Sequence, residues 1–397
     1  MFYSPIVFMK KKNILALALT MLCLTGLSSG CGKSEPASTE SESSATSETE
    51  TASVEATKDT ETTDTETTAT ETTNTETEST ETTTPETETV PETFPEITSN
   101  EAIQDFDSVL VIGNTAYELF TYREQTAESY SAAVNHLANT LDCKAKVYDM
   151  VIPLSSGITF PDNRLSEINS SDQKESIDSI HKKLNDKVNI VPIYNTLMSH
   201  RNEYIYFRTD HHWTALGAYY AYTSFCEAKG IEPASIDSYE QMQFDGFVGS
   251  FYNDTKASVL KQNPDTITAY KPVSDAILHV TASDGQEYDW PVIYDVSSYA
   301  AGLKYSSFCA GDNPITVVEN KSLTDNSSCI VVKESFGNAF IPFLVDHYQT
   351  IYIIDYRYWK GSVSALAEEK QVSDVLLLNN LSMIRNKYLV GQLQGVM

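Results

Sequence analysis

Positive charge is scarce in this chain: 27 Lys and Arg stand against 55 Asp and Glu, a formal net charge of −28. So acidic a body repels polyanions. That excludes nucleic acid as a partner and disfavours anionic wall polymers unless a local basic pocket admits them. Cysteine is sparse, six in 397 residues, with no Cys-x-x-Cys pair and no spacing of the zinc kind. The apolar run at 14–24 falls short of the roughly 20 residues a membrane-spanning helix needs. Apolar side chains are nearly absent from 32–99, where about 18 carboxylates and two lysines sit among repeats of the type Thr-Glu-Thr-Thr. Such a segment buries too little surface to offset the entropy of ordering and is expected to stay disordered.

What is present first reads as an address. Lys10, Lys11 and Lys12 precede the short apolar run, and small residues follow up to Cys31. This is the layout of a secretory signal. Leu27-Ser28-Ser29-Gly30-Cys31 resembles a bacterial lipobox, with Ser28 in place of the usual Leu, so Cys31 is the expected lipidation site. An ordinary secretory signal with a chance cysteine is the alternative. Residues 1–30 are then the signal peptide, 31–100 a Thr/Ser/Glu-rich tether and 101–397 the folded domain. The tether as a random coil spans roughly 45 Å, and its charges stretch it further. From 101 onward about 22 basic and 37 acidic residues remain, a net charge near −15. Cys143, Cys226, Cys309 and Cys329 lie in this domain. Export permits disulfides, and three pairings are open.

Within the domain, apolar runs alternate with amphipathic stretches. Strands are expected at 109–112, 146–152, 188–193, 204–207, 329–333, 351–355 and 375–379. Helices are expected at 124–141, 172–185, 215–229, 336–347 and 363–370, with Thr214 capping the third. Continuous apolar strands between helices predict an α/β fold, a mostly parallel sheet covered on both faces. The stretch 239–328, rich in Tyr, Asp, Gly, Asn and Ser, reads as an insertion of small strands and loops.

Two constellations carry candidate chemistry. In Cys329-Ile-Val-Val-Lys-Glu-Ser335-Phe-Gly337-Asn338 a buried strand ends in a serine just before a helix. Backbone N–H groups there can stabilise an oxyanion. The same serine would also serve as a plain helix cap. In Thr209-Asp210-His211-His212-Trp213-Thr214, an Asp and a His two apart on a turn supply a base and its orienter. The alternatives are a capping Asp with packed histidines, or a metal pair. Adjacent histidines usually point apart and no third carboxylate is evident, which argues against metal.

The stretch Tyr204-Ile-Tyr-Phe-Arg-Thr-Asp-His-His-Trp-Thr-Ala-Leu-Gly-Ala-Tyr resembles the signature of the DHHW protein family, exported proteins of mostly Gram-positive bacteria. The resemblance extends over most of 103–383, including Val331-Val-Lys-Glu-Ser-Phe-Gly-Asn-Ala-Phe340. More distantly it is similar to alginate O-acetyltransferases with SGNH-hydrolase-like folds, which carry an Asp-x-His-Trp motif and a later serine elbow. The resemblance implies Asp210 as orienter, His212 as base and Ser335 as nucleophile, with no cofactor and no metal. His211 falls on the variable position and Trp213 on the aromatic. Arg357 and Asn338 are candidate donors to an oxyanion or sugar hydroxyl, with His211 and Trp213 as further substrate-side candidates; Asn379 and Asn380 are weaker ones. The elbow departs from the pattern: Glu334 replaces a glycine, and a carboxylate beside the nucleophile disfavours an oxyanion.

The expectation is therefore a three-layer, SGNH-like lipoprotein on the outer face of the cell membrane, acting on an extracellular polysaccharide or other acylated glycan. It would be an O-acetyltransferase or an esterase; a transferase would need a membrane partner that delivers acetyl groups outward. The alternative is a glycan-binding scaffold without turnover.

Overall fold

The computed structural model describes residues 93–397; the expected signal, Cys31 and the tether up to residue 92 lie outside the described residues. Residues 97–101 are already fixed to the domain. Ile97 N–H donates to Asp162 Oδ2 (2.9 Å), Asp162 N–H donates back to Ile97 O (2.7 Å), and Ser99 pairs with Asn163.

Strands β1 (Ile103–Asp105), β2 (Val109–Ile112) and β3 (Thr115–Glu118) form a small antiparallel sheet. The 109–112 run is a buried strand as expected, but it lies outside the main sheet. Four apolar residues specify burial without specifying a partner. The turn at Gly113, whose φ of +58° suits glycine, folds β3 straight back onto β2.

The main sheet draws on β4 (Lys146–Ile152) and β5 (Val188–Ile190). After them, β6 (Glu240–Phe247) and β7 (Asp265–Lys271) pair with each other alone. Then come β8 (Ala276–Thr281), β9 (Glu287–Pro291), β10 (Ile315–Asn320), β11 (Ser328–Lys333), β12 (Thr350–Asp355) and β13 (Asp374–Asn380). The order is β5-β4-β13-β11-β12-β10-β8-β9. The first five strands are parallel and the last three run antiparallel. Three strands of the stretch expected as an insertion thus extend the central sheet. Their alternating pattern suits a strand with one solvated face, whereas β11 and β13 are buried throughout.

Side chains alternate between two cores. Cys329 and Val331 of β11 join one face with Leu376 and Leu378 of β13; Ile330, Val332, Val375 and Leu377 join the other. Helices Ala215–Lys229 and Gly337–Leu344 cover the first face. Helices Glu124–Leu141, Gln173–His181, Val363–Lys370 and Lys387–Gln394 cover the second. The result is three layers. Some expected elements are shorter. The second helix stops at His181, β5 stops at Ile190, and 204–207 contributes only a bridge between Tyr206 and Trp213. The four described cysteines are unpaired, Cys143 exposed and the other three buried. Among the described residues no helix is long and apolar enough to cross a membrane.

Candidate active site

Three parallel neighbours, β12, β11 and β13, end at one edge of the sheet, and Arg357, Ser335 and Asn380 follow or close them there. Ligands of open α/β sheets bind at that edge. Asp210, His211 and His212 reach the same edge from a loop held at both ends. Phe207 N–H donates to His212 O (3.2 Å), and Thr209 gives its N–H and hydroxyl to the buried Asp265 (2.8 and 2.6 Å). Arg208 and Tyr204 bind the same carboxylate. Trp213, fully buried, donates its indole N–H to Phe336 O (2.9 Å) and so ties this loop to the serine elbow. Trp213 is therefore an anchor, not a substrate-side residue. Thr214 caps the Ala215–Lys229 helix as expected, accepting from Gly217 N–H.

The structure brings Asp210, His212 and Ser335 together, although 123 positions separate the last two. His212 Nε2 lies 2.7 Å from Ser335 Oγ, and its Nδ1 lies 2.6 Å from Asp210 Oδ1. Asp210 also accepts the N–H of His212 (3.0 Å) and, on Oδ2, the N–H of Ser250 (2.8 Å). Burial pushes the Asp210 carboxyl up, but His212, His211 and the Ser250 N–H outweigh it and hold it well below the usual carboxylate range. An ionised Asp210 facing Nδ1 leaves the proton on Nδ1 and the lone pair on Nε2, the tautomer a base needs. The approach of Ser250 requires Gly249, since a Cβ there would collide with Asp210.

Two groups at the site carried no sequence signal. Tyr305 stacks on His212 (centroids 4.0 Å apart, 12° between planes) and donates its hydroxyl to Ser335 O (3.1 Å). Ser250 Oγ lies 2.6 Å from His211 Nδ1. The His211 and His212 rings do not diverge as expected of adjacent histidines; their centroids are 3.9 Å apart. The loop turns at this point, so the alternation of an extended strand does not apply. Asp210, His211 and His212 each bring a metal-competent atom within 4.8 Å of the others. Both nitrogens of His212 are nonetheless engaged, by Asp210 and Ser335.

A cavity of about 230 Å³ opens above the serine, lined among others by His211, Asp254, Glu334, Arg357 and Asn380. Arg357 sits in a cluster of charged side chains. Its Nε and Nη2 bind Asp355 (2.8 and 2.6 Å), Nη2 also reaches Asp312 (2.8 Å), and Lys333 binds the same two carboxylates (3.1 and 3.2 Å). Asn338 does not line the cavity; its Nδ2 donates to Asp312 (2.9 Å). Asn379 does not line it either, and the Asn380 side chain caps Ser382 and Met383 N–H. Glu334, buried beside the serine, accepts the N–H of Phe336 (3.1 Å) and of Asn380 (3.2 Å). A larger cavity of about 330 Å³ lies at the β8–β9 edge, lined by Asp275, Asp289, Trp290 and Lys321, and contains none of these groups.

Solved structures share this fold. A DHHW family protein from Eubacterium siraeum is 27% identical with a TM-score of 0.68, over 76% of this chain and 99% of that one. Bacillus cereus PatB1 with a sulfonyl adduct is 19% identical with a TM-score of 0.59, over 71% of this chain and 96% of that one. A second PatB1 structure is 21% identical with a TM-score of 0.57, over 73% and 99%. No curated protein matches the chain. The family model described as DHHW protein matches residues 43–354. By that match and by its three-layer architecture, the chain belongs to the DHHW protein family and has an SGNH-hydrolase-like fold.

Proposed function

We propose that this domain is a serine acyl-transfer enzyme that moves an acetyl group onto or off hydroxyls of an extracellular glycan. The observation that supports it most is the unbroken line Asp210–His212–Ser335, at 2.6 and 2.7 Å. Ser335 Oγ attacks the acyl carbon while its proton passes to His212 Nε2, and Asp210 stabilises the imidazolium that forms. The leaving oxygen takes that proton, and an acetyl ester stays on Ser335. A sugar hydroxyl, or water, then attacks this ester and gives its own proton to His212, which passes it to Ser335 Oγ as the Oγ–C bond breaks and the acetylated sugar, or acetate, leaves. Arg357 and His211 line the cavity and serve as groups that meet the acyl or acceptor oxygen. No cofactor enters this scheme.

In this reading the acidic segment up to residue 92 tethers the domain outside the cell through a lipid on Cys31. A transferase would further require a membrane protein that passes acetyl groups outward. The second reading, a glycan-binding scaffold without turnover, is favoured by one observation: Glu334 occupies the Phe336 N–H that would otherwise face an oxyanion.

Incubation with an activated acetyl ester, and separately with a sulfonyl fluoride, followed by intact mass, separates the two. The expected result is one adduct on the wild type, located on Ser335, and none on Ser335→Ala. An adduct that persists in Ser335→Ala removes the nucleophile; no reaction in either protein favours the scaffold.

A further inference from the structure

Glu334 is a buried charged-type group next to the nucleophile that the scheme above leaves unused, and it is the residue that departs from the expected elbow. Its surroundings describe its protonation. The four groups Lys333, Arg357, Asp312 and Asp355 form a closed cluster of two cations and two anions, so their charges cancel. Among the described residues no cation forms an ion pair with Glu334, and an ionised Glu334, 1% exposed, would be a buried negative charge without a paired cation. Proton counting leads the same way. Nδ1 of His212 holds its proton toward Asp210, so Ser335 gives its single hydroxyl proton to Nε2. Glu334 Oε2 lies 3.4 Å from Ser335 Oγ. That geometry lets Ser335 donate to Oε2, or a protonated Oε2 donate to Ser335; with the serine proton turned to His212 Nε2, the nearer partner at 2.7 Å, the second is the bond that remains.

We propose that Glu334 works as a neutral carboxylic acid whose Oε2–H turns from Ser335 Oγ to the oxyanion of the tetrahedral intermediate, replacing the backbone N–H that Glu334 itself occupies. The proposal rests on the acyl-transfer reading. In a strand-to-helix elbow the N–H after the serine ordinarily faces the oxyanion; here Phe336 N–H is bound to Oε2 and Asn380 N–H to Oε1. These two bonds fix the carboxyl plane at the mouth of the cavity. As the Oγ–C bond forms, the acyl C=O π pair moves onto oxygen, and Oε2–H donates to that oxygen without leaving Glu334. When the intermediate collapses the C=O bond reforms, the alkoxide departs with the proton held by His212, and Oε2–H returns to Oγ. A buried acid kept neutral to donate in this way is known chemistry. Burial raises the Glu334 carboxyl above its ordinary value, against Arg357, the two N–H groups and His211. The other charged or titratable groups facing it are His212 from the same loop, Tyr305, Tyr356 past β12, and Glu118 and Asp254 on the cavity wall.

The test compares wild type, Glu334→Gln and Glu334→Ala for acylation rate by the activated ester across pH. Glu334→Gln, which keeps an N–H donor and cannot ionise, is expected within roughly tenfold of wild type, without the alkaline fall that wild type shows as Glu334 loses its proton. Glu334→Ala is expected to fall about 10²–10³-fold. A Glu334→Ala protein as fast as wild type, or a Glu334→Gln protein as slow as Glu334→Ala, overturns the proposal while the Ser335 adduct on wild type stands. A wild type that forms no adduct overturns the underlying reading and this proposal together. If a variant fails to fold, infrared difference spectra of the wild type decide. A neutral carboxylic C=O band at pH 7 from 13C-labelled glutamate, quenched on sulfonylation of Ser335, is expected; its absence at pH 7 overturns the proposal.

Discussion

Asp149 shows how much one side chain can weigh away from the chemistry. It lies fully buried on β4, its Oδ1 accepts the Tyr130 hydroxyl at 2.5 Å, and its Oδ2 has no partner among the described residues. Burial lifts its carboxyl to about 7, outweighing the Tyr130 hydrogen bond. An unfolded Asp titrates near 4. Between those pH values the folded chain therefore holds a proton that the unfolded chain has lost. Stability from this group is full below pH 4, falls as pH rises to 7, and stays low above it. Asp149→Asn keeps the acceptor and removes the charge. It should raise the melting temperature by a few degrees at pH 8, roughly 1–3 kcal/mol, and leave it unchanged near pH 4, as read by calorimetry. At this same scale the sequence was partly legible. Asp210, His212 and Ser335 were named from motif and resemblance. Tyr305 and Ser250 were not, because they reach the site through tertiary packing from segments whose pattern says only strand or loop.

Among the elements, the turn at 209–212 is fixed from three sides. It is held by Asp265 on β7, by Trp213 against the elbow and by the Gly249–Ser250 backbone against Asp210. Gly249→Ala places a methyl group into the Asp210 carboxylate. The domain should stay folded, but the acylation rate should drop roughly 10²-fold, the scale of an ångström-sized misplacement; far-UV circular dichroism and a stopped-flow burst measure the two separately. Strands β4, β11, β12 and β13 were readable because a parallel strand buried on both faces is an unbroken apolar run. The 109–112 run was equally apolar and went to another sheet, since register and partner are properties of the whole chain. Arg357 was located by sequence, but its four-membered cluster with Lys333, Asp312 and Asp355 was not, because Asp312 lies 45 positions earlier in a stretch read as loop.

For the whole molecule, the four thiols of the described domain test its covalent state. The fold needs no cross-link: Cys226, Cys309 and Cys329 are buried in one continuous core, and burial pushes the Cys226 thiol up to about 11 and the Cys309 thiol up to about 12. Alkylation without reductant should label Cys143 alone in the native protein and all four after denaturation, as counted by intact mass. A disulfide would appear as two missing labels.

The last strand of the chain, β13, lies between β4 and β11, in the middle of the sheet. Ser335 follows β11, which has no neighbour on that side until residues 374–380 are in place. The consequence is one of timing. A strand made some forty residues after Ser335 completes the sheet on which that serine is mounted, so the sheet edge at Ser335 takes its final form only after residue 380 has been added to the growing chain.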